Sequence, residues 1–314
     1  RGPHWFSGSA DAIYQNLNLI NDERPDIVCV FGADHIYRMD PRQMVDYHRD
    51  HGGGVTVAAI PVPVEEASSF GVIEADADGL ITGFYEKPSD PPTMPGDPTR
   101  CLASMGNYVF DTDVLIDAVT PGRLMGTPHD MGGDLMPRLA ELAKARVYDF
   151  STNEVPGQDE RERGYWRDVG TVDSYYEANM DLVAAVPVFS LYNQDWQMFT
   201  HSPPRPPAKL SRGPSGRLPE VSDTLVCAAS ILSGTASHGS IIGPGSYVDE
   251  ALLEGVILLP DVEVGNGAML RRCVIDKNVR VPPGCQIGYD HDEDRARGLV
   301  VSDSGIVVVE KGFE

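Results

Sequence analysis

Long apolar runs are missing from this sequence. Stretches such as Ile27 to Phe31 and Ile306 to Val309 fall far short of the ~20 residues a membrane helix needs, so no membrane span is expected. A basic stub followed by an apolar core and a small-residue cleavage site is missing too, and nothing here directs secretion. Cysteine is scarce: Cys29, Cys101, Cys227, Cys273 and Cys285 are an odd, scattered set without CxxC spacing. That pattern fits reduced thiols better than disulfides or zinc, and with them a cytoplasmic location. Positive charge is short as well, 25 Lys and Arg against 47 Asp and Glu, for a net charge of −22. Binding to nucleic acid or anionic lipid depends on accumulated Lys and Arg, so neither is an expected partner.

What is present is an ordinary globular composition, 41% hydrophobic over 314 residues, enough for two packed domains. Up to about Val186, apolar runs alternate with amphipathic stretches, the pattern of a layered α/β domain with a mixed sheet. Ile13, Leu17 and Ile20 mark a helix face, Ile27 to Phe31 a buried strand, and Asp40 with Pro41 the cap and first turn of the next helix. Val55 to Ile60 and Asn107 to Phe110 read as strands, and Gly71 to Glu74 with Leu80 to Tyr85 as a hairpin around Asp78-Gly79. A last helix starts at Thr171 and runs through Leu182. From Ser202 to Pro219 paired prolines mark a stiff connector. Beyond it apolar residues recur in steps of six: Ile242 to Val248, Leu258 to Val264 to Leu270, Ile275 to Val281 to Ile287. With glycine-bearing corners at Gly245, Gly267 and Gly284, this reads as a hexapeptide β-helix. A β-sandwich with glycine turns is the alternative, although its strands should not keep a six-residue register.

Two carboxylates stand out. Asp34 follows the strand Ile27 to Phe31, where open α/β sheets bind ligands; a loop aspartate that merely caps a turn is the plain alternative. Asp168 lies in a loop-like segment, Tyr165 to Thr171, just before a helix. Together they supply sufficient protein ligation for Mg²⁺, which completes its shell with water and substrate phosphates, and no His/Cys cluster competes for a softer metal. Lys87, in Glu86-Lys87-Pro88, offers a point charge for phosphate or is an ordinary solvated lysine. Ala103 to Gly106 permits close backbone approach, with Ser104 offering a hydroxyl, or is the ordinary start of a strand. Gly8 to Ala12 is a small-residue turn whose amides could face a base or phosphate.

These segments, in this order, resemble the bacterial ADP-glucose pyrophosphorylases (glucose-1-phosphate adenylyltransferases). The likeness rests on GSADA at Gly8 to Ala12, GADHIY at Gly32 to Tyr37, PVPVEEASSFGVI at Pro61 to Ile73, EKP at Glu86 to Pro88 and ASMGNYVF at Ala103 to Phe110. It continues through HDMGGDLMP at His129 to Pro137, YWRDVGT at Tyr165 to Thr171 and PPAK at Pro206 to Lys209. The resemblance implies a Rossmann-like α/β nucleotidyltransferase domain over 1–190, a Pro-rich linker over 191–222 and a left-handed parallel β-helix over 223–314. It also implies Mg²⁺ on Asp34 and Asp168, with Lys87, Glu86, Ser104 and Gly71 on glucose 1-phosphate. Tyr108, Asp130 and Trp166 would line the sugar pocket, and Gly8, Ser9 and Asp11 would lie by the adenine of ATP. A homotetramer with a small-molecule allosteric effector follows in the same way; Arg271 and Arg272 are candidates for the effector or a solvated pair.

The sequence departs from the family at Phe6, where a substrate-contacting tyrosine is expected, and at its start, where the family's glycine-rich phosphate loop is not found. The expectation is therefore an N-terminally truncated chain, inactive on its own, from an active parent. Readings of other classes remain: a relative making another nucleotide sugar, a non-catalytic regulatory subunit, and an acyltransferase, for which only His238 lies near the repeats.

Overall fold

The computed structural model describes residues 5–120, 126–127 and 129–313. The chain divides into two units, Arg1–Ala33 with Tyr37–Trp166, and Asp34–Ile36 with Arg167–Glu314.

In the first unit, Ile13, Leu17 and Ile20 pack against the core as their spacing predicts. They belong to two helices, α1 (Ser9–Gln15) and α2 (Leu17–Glu23), rather than one. The break is at Asn16, whose side-chain amide donates to the Ala12 carbonyl at 2.8 Å, a local bond with which asparagine competes against helix continuation. Next come β1 (Ile27–Val30), β2 (His35–Tyr37), whose His35 and Ile36 belong to the second unit, and α3 (Pro41–His51). Asp40 caps α3 by accepting from the Arg42 N–H at 3.0 Å, with Pro41 in the first turn. The sheet is completed by β3 (Val55–Pro63), β4 (Gly71–Ala75), β5 (Ile81–Glu86), β6 (Arg100–Asp111) and, after α4 (Thr112–Val119) and α5 (Met136–Glu141), β7 (Ala145–Asp149). Its order is β5-β4-β6-β3-β7, with β1 also on β6. Only β3 and β7 pair in parallel; the rest are antiparallel, so the sheet is mixed. Val55, Val57, Phe110, Leu115 and Leu135 are fully buried in its core, each worth about 1.5–3 kcal/mol of transfer free energy.

One expectation is corrected here. Ala103 to Gly106 does not precede a strand but lies inside β6. Pairing with β3 shifts register between Val57 and Ala59, and Gly106 absorbs the irregularity at φ +70°.

In the second unit, after the short strand β8 (Trp166–Asp168), which pairs with β2, helix α6 (Val172–Leu182) begins at Thr171. The Thr171 and Ser174 side chains form a reciprocal cap. Beyond it the strands stack in parallel, residue 220 beside 236, 236 beside 252, 252 beside 269 and 269 beside 286. The chain therefore closes one coil every 16 or 17 residues, a parallel β-helix, and the sandwich alternative falls because sandwich sheets are antiparallel. All eight apolar residues of the six-step series, from Ile242 to Ile287, are buried. Gly245, Gly267 and Gly284 hold φ near +70 to +80° at the corners. Strands Lys209–Ser211 and Glu220–Ser222 already pair with Ile231–Ser233 and Ala236–His238, so coil structure begins inside the stretch expected as a connector.

Candidate active site

In the second unit Asp34 immediately precedes β2 and Asp168 ends β8. The carboxylate expected on a loop therefore sits at the end of a short strand. Pairing of β2 with β8 brings the two together. The Val169 N–H donates to the Asp34 carbonyl at 2.9 Å, and the Gly170 N–H to Asp168 Oδ1 at 2.7 Å. A Cβ on Gly170 would stand 3.0 Å from Asp168 Oδ1 and 3.7 Å from Asp34 Oδ2, so the missing side chain keeps that approach open. His35 completes the group: its Nε2 lies 3.6 Å from Asp34 Oδ1 and 3.9 Å from Asp168 Oδ2. One ligand atom from each of the three residues falls within 4.8 Å of the others. Asp34 is exposed and Asp168 half-buried, so an incoming hydrated cation can reach them while keeping waters, as Mg²⁺ does. The donor set fits a divalent metal.

A second acidic group lies in the first unit. Glu86 ends β5 opposite Gly71 on β4, and Asp130 caps the wide turn Met131–Leu135, its Oδ2 accepting from the Gly133 N–H at 2.8 Å. Asp130 Oδ1 accepts from the Ser9 hydroxyl at 2.9 Å, and the Met131 N–H donates to that same hydroxyl oxygen at 2.8 Å. Two glycines make room for Glu86. A Cβ on Gly132 would come within 2.8 Å of Glu86 Oε2; one on Gly71 would meet the Phe84 ring at 2.7 Å and Oε2 at 3.2 Å. Seated there, Glu86 has its pKa raised, by lost solvation first and the charge of Asp130 second, with Lys87 opposing. Lys87 itself sits in the left-handed region at φ +47°, a conformation costing a non-glycine residue about 1–2 kcal/mol, its N–H donating to the Phe70 carbonyl at 3.0 Å.

Tyr108 and Ser104 are buried on β6. Burial pushes the Tyr108 hydroxyl up to about 12, with Asp130 and Glu86 adding to the rise and the Ser104 side chain opposing it, so Tyr108 stays a neutral donor at physiological pH. Trp166 packs edge-on against Phe70, ring centroids 5.1 Å apart. At the start of the chain, Ser9 is committed to Asp130. Asp11 accepts from the Ser7 N–H and the Gln15 amide, contacts led by the Ser7 amide that hold its carboxyl below the usual range. The Gly8 carbonyl accepts from the Ala12 N–H at 3.1 Å. Phe6 is exposed.

Residues 2–185 match the family described as Nucleotidyl transferase, and residues 206–309 the family described as GlmU-like, C-terminal hexapeptide. The glucose-1-phosphate adenylyltransferase of Parafrankia sp. (strain EAN1pec) is 52% identical over 315 residues, 99% of this chain and 76% of that protein. Its counterpart from Frankia casuarinae is 53% identical over 314 residues, again 99% and 76%. That from Anaeromyxobacter sp. (strain Fw109-5) is 50% identical over 317 residues, 99% and 77%. The chain belongs to the glucose-1-phosphate adenylyltransferase family.

As a member of this nucleotidyltransferase family the chain handles a nucleotide substrate, and no helix among its described residues is long and apolar enough to cross a membrane. Two features of the site are not legible in the sequence. His35 belongs to no His/Cys cluster; its one signal is a single histidine next to an aspartate at the start of a strand. Gly132 and Gly133 were inside a quoted motif, but only the fold shows them shaping the surroundings of Glu86 and Asp130.

Proposed function

We propose that this protein transfers the adenylyl group of ATP to α-D-glucose 1-phosphate, giving ADP-glucose and pyrophosphate for glycogen (α-glucan) biosynthesis. The observation that carries the proposal is identity of 50–53% along nearly the whole chain to glucose-1-phosphate adenylyltransferases. A phosphate oxygen of glucose 1-phosphate bonds to the α-phosphorus of ATP as the bond to the β-phosphate oxygen breaks, and pyrophosphate carries that electron pair away. The attacking oxygen is already ionised, so positioning and charge compensation, not proton abstraction, are what the protein must supply.

Asp34 and Asp168 are the proposed holders of Mg²⁺, which when bound compensates phosphate charge. Lys87 is proposed to hold the phosphate of glucose 1-phosphate. Glu86, Gly71 and Ser104 are proposed to contact the sugar phosphate, and Tyr108, Asp130 and Trp166 to line the sugar pocket. The expected small-residue turn is the start of α1, and Gly8, Ser9 and Asp11 there are proposed to lie by the adenine, with Phe6 at the position of a substrate contact. A catalytic domain over 1–190, a connector over 191–222 and a β-helix over 223–314, a cytoplasmic homotetramer and a small-molecule effector complete the reading; the coiled strands support the β-helix, and they move its start back to Lys209, inside the connector.

Pyrophosphate release by the complete natural polypeptide tests the proposal, with ATP, Mg²⁺ and glucose 1-phosphate run beside other nucleoside triphosphates and sugar phosphates. Release selective for ATP and glucose 1-phosphate is expected. Selective release with another pair would replace the substrates, and no release with any pair would overturn the catalytic reading.

A further inference from the structure

The metal reading above uses two aspartates, but three side chains face one another. We propose that His35 is a third protein ligand of the divalent cation, through Nε2, so that the site is a mixed nitrogen and oxygen site selective for transition metals over Mg²⁺. The inference rests on the proposed metal role of Asp34 and Asp168.

Geometry is the first argument. Ligand atoms bound to one ion at about 2.0–2.2 Å can stand no more than about 4.4 Å apart, the limit when they lie on opposite sides of it. The separations from His35 Nε2 to the aspartate oxygens, 3.6 and 3.9 Å, both fall inside that limit. They are longer than the 2.7–2.9 Å of a direct charge-assisted hydrogen bond, so imidazole and carboxylates face a shared space rather than closing on each other. The second argument is how the ring is placed. His35 exposes only 13% of its side chain, against 65% for Asp34 and 37% for Asp168. The histidine is thus the fixed member of the three, brought there by the pairing of β2 with β8, while the open side lies at Asp34. Gly170 extends that opening, since a Cβ there would crowd the Asp168 carboxylate at 3.0 Å and touch that of Asp34.

Chemistry then sets the consequence. Carboxylate and water ligands suit Mg²⁺ and Mn²⁺, whereas an added imidazole raises affinity for Co²⁺ and later first-row ions much more than for Mg²⁺. The protein should therefore bind Co²⁺ more tightly than a two-aspartate site does, with Mn²⁺ gaining less.

The test is read on the resting protein without substrates. Electron spin-echo modulation of bound Mn²⁺ should carry a ¹⁴N signal in the wild type that disappears in His35→Gln while Mn²⁺ stays bound. Calorimetric titration should show His35→Gln weakening Co²⁺ at least about tenfold, since loss of a partner that merely supports a ligand already costs about 10–100-fold, with Mg²⁺ weakened less than about threefold. Bound Mn²⁺ without a ¹⁴N signal, in wild-type protein whose binding is lost in Asp34→Asn and Asp168→Asn, would overturn the role of His35 and leave the aspartate site standing. Mn²⁺ binding that survives both aspartate substitutions would overturn the site itself. The wild-type spectrum decides the ligand question even if His35→Gln fails to fold.

Discussion

The molecule carries two acidic pairs, and they are built in opposite ways. Asp34 and Asp168 are open to water; one oxygen of Asp168 accepts the Gly170 amide, and a histidine faces both side chains. Glu86 and Asp130 are as accessible as the first pair but are held in a frame: Gly71 and Gly132 leave room for Glu86, and Asp130 is tied at both oxygens by the Ser9 hydroxyl and the Gly133 amide. Two like charges left with few donors need a cation to offset their repulsion, which is what a metal site uses. Two carboxylates held in a fixed frame, one with its pKa raised, are suited to accepting hydrogen bonds from neutral hydroxyls, as a sugar offers. The proposed function accordingly assigns charge compensation to the first pair and recognition to the second.

The sharpest way to break this division is Asp34→Asn. If the open pair serves charge compensation, kcat for pyrophosphate release should fall about 1,000-fold, roughly 4 kcal/mol of barrier, while KM for glucose 1-phosphate moves less than about threefold. Steady-state kinetics with each substrate varied would read both numbers. A raised KM for glucose 1-phosphate with kcat preserved would mean that Asp34 recognises sugar phosphate, and the contrast between the pairs would be lost.

Asp130→Ala attacks the framed pair. It removes the acceptor for the cap of Met131–Leu135 and the partner of Ser9, so the fold should lose about 1–2 kcal/mol in urea unfolding. With that frame loosened, KM for glucose 1-phosphate should rise about tenfold, more than kcat falls. A kcat loss as large as that of Asp34→Asn would place Asp130 in charge compensation as well.

How far these pairs could be read without coordinates follows from what each depends on. The β-helix was legible because its signal is periodic: each apolar step of six puts a residue on the inside, and Ile242, Val264 and Ile287 are all buried there. Asp34 and Asp168 were legible as types and positions only as a pair, since a carboxylate after a sheet strand can equally be a turn cap and the second one tips the reading. Their meeting was not, because it depends on pairing between β2 and β8, three-residue strands too short to show a period of two. The same holds for Ala103 to Gly106, whose small residues read as a strand's start although the strand runs through them with a bulge. The break between α1 and α2 was hidden because one asparagine side chain decides it, while the apolar spacing on either side stays helical.

Glu86→Gln gives the smallest effect and the finest resolution of the two pairs. Because the native pKa of Glu86 is raised, the folded chain holds that proton more tightly than the unfolded one. The stability this contributes is complete below the ordinary glutamate range and is lost as pH rises through it to the raised native value. Above that window the ionised carboxylate works against the fold, and glutamine removes the penalty. Glu86 remains exposed as a residue, so screening limits the gain to a few tenths of a kcal/mol, about 0.5 at most. Urea unfolding should therefore show Glu86→Gln more stable than the wild type at pH 8 and no more stable at pH 4. In an Asp130→Ala background the gain at pH 8 should shrink, because the repulsion from Asp130 is gone, but not vanish, because the lost solvation of Glu86 persists. An equal gain at both pH values would mean that glutamine improves packing rather than relieving charge, and Glu86 and Asp130 would then not be acting as an electrostatic pair.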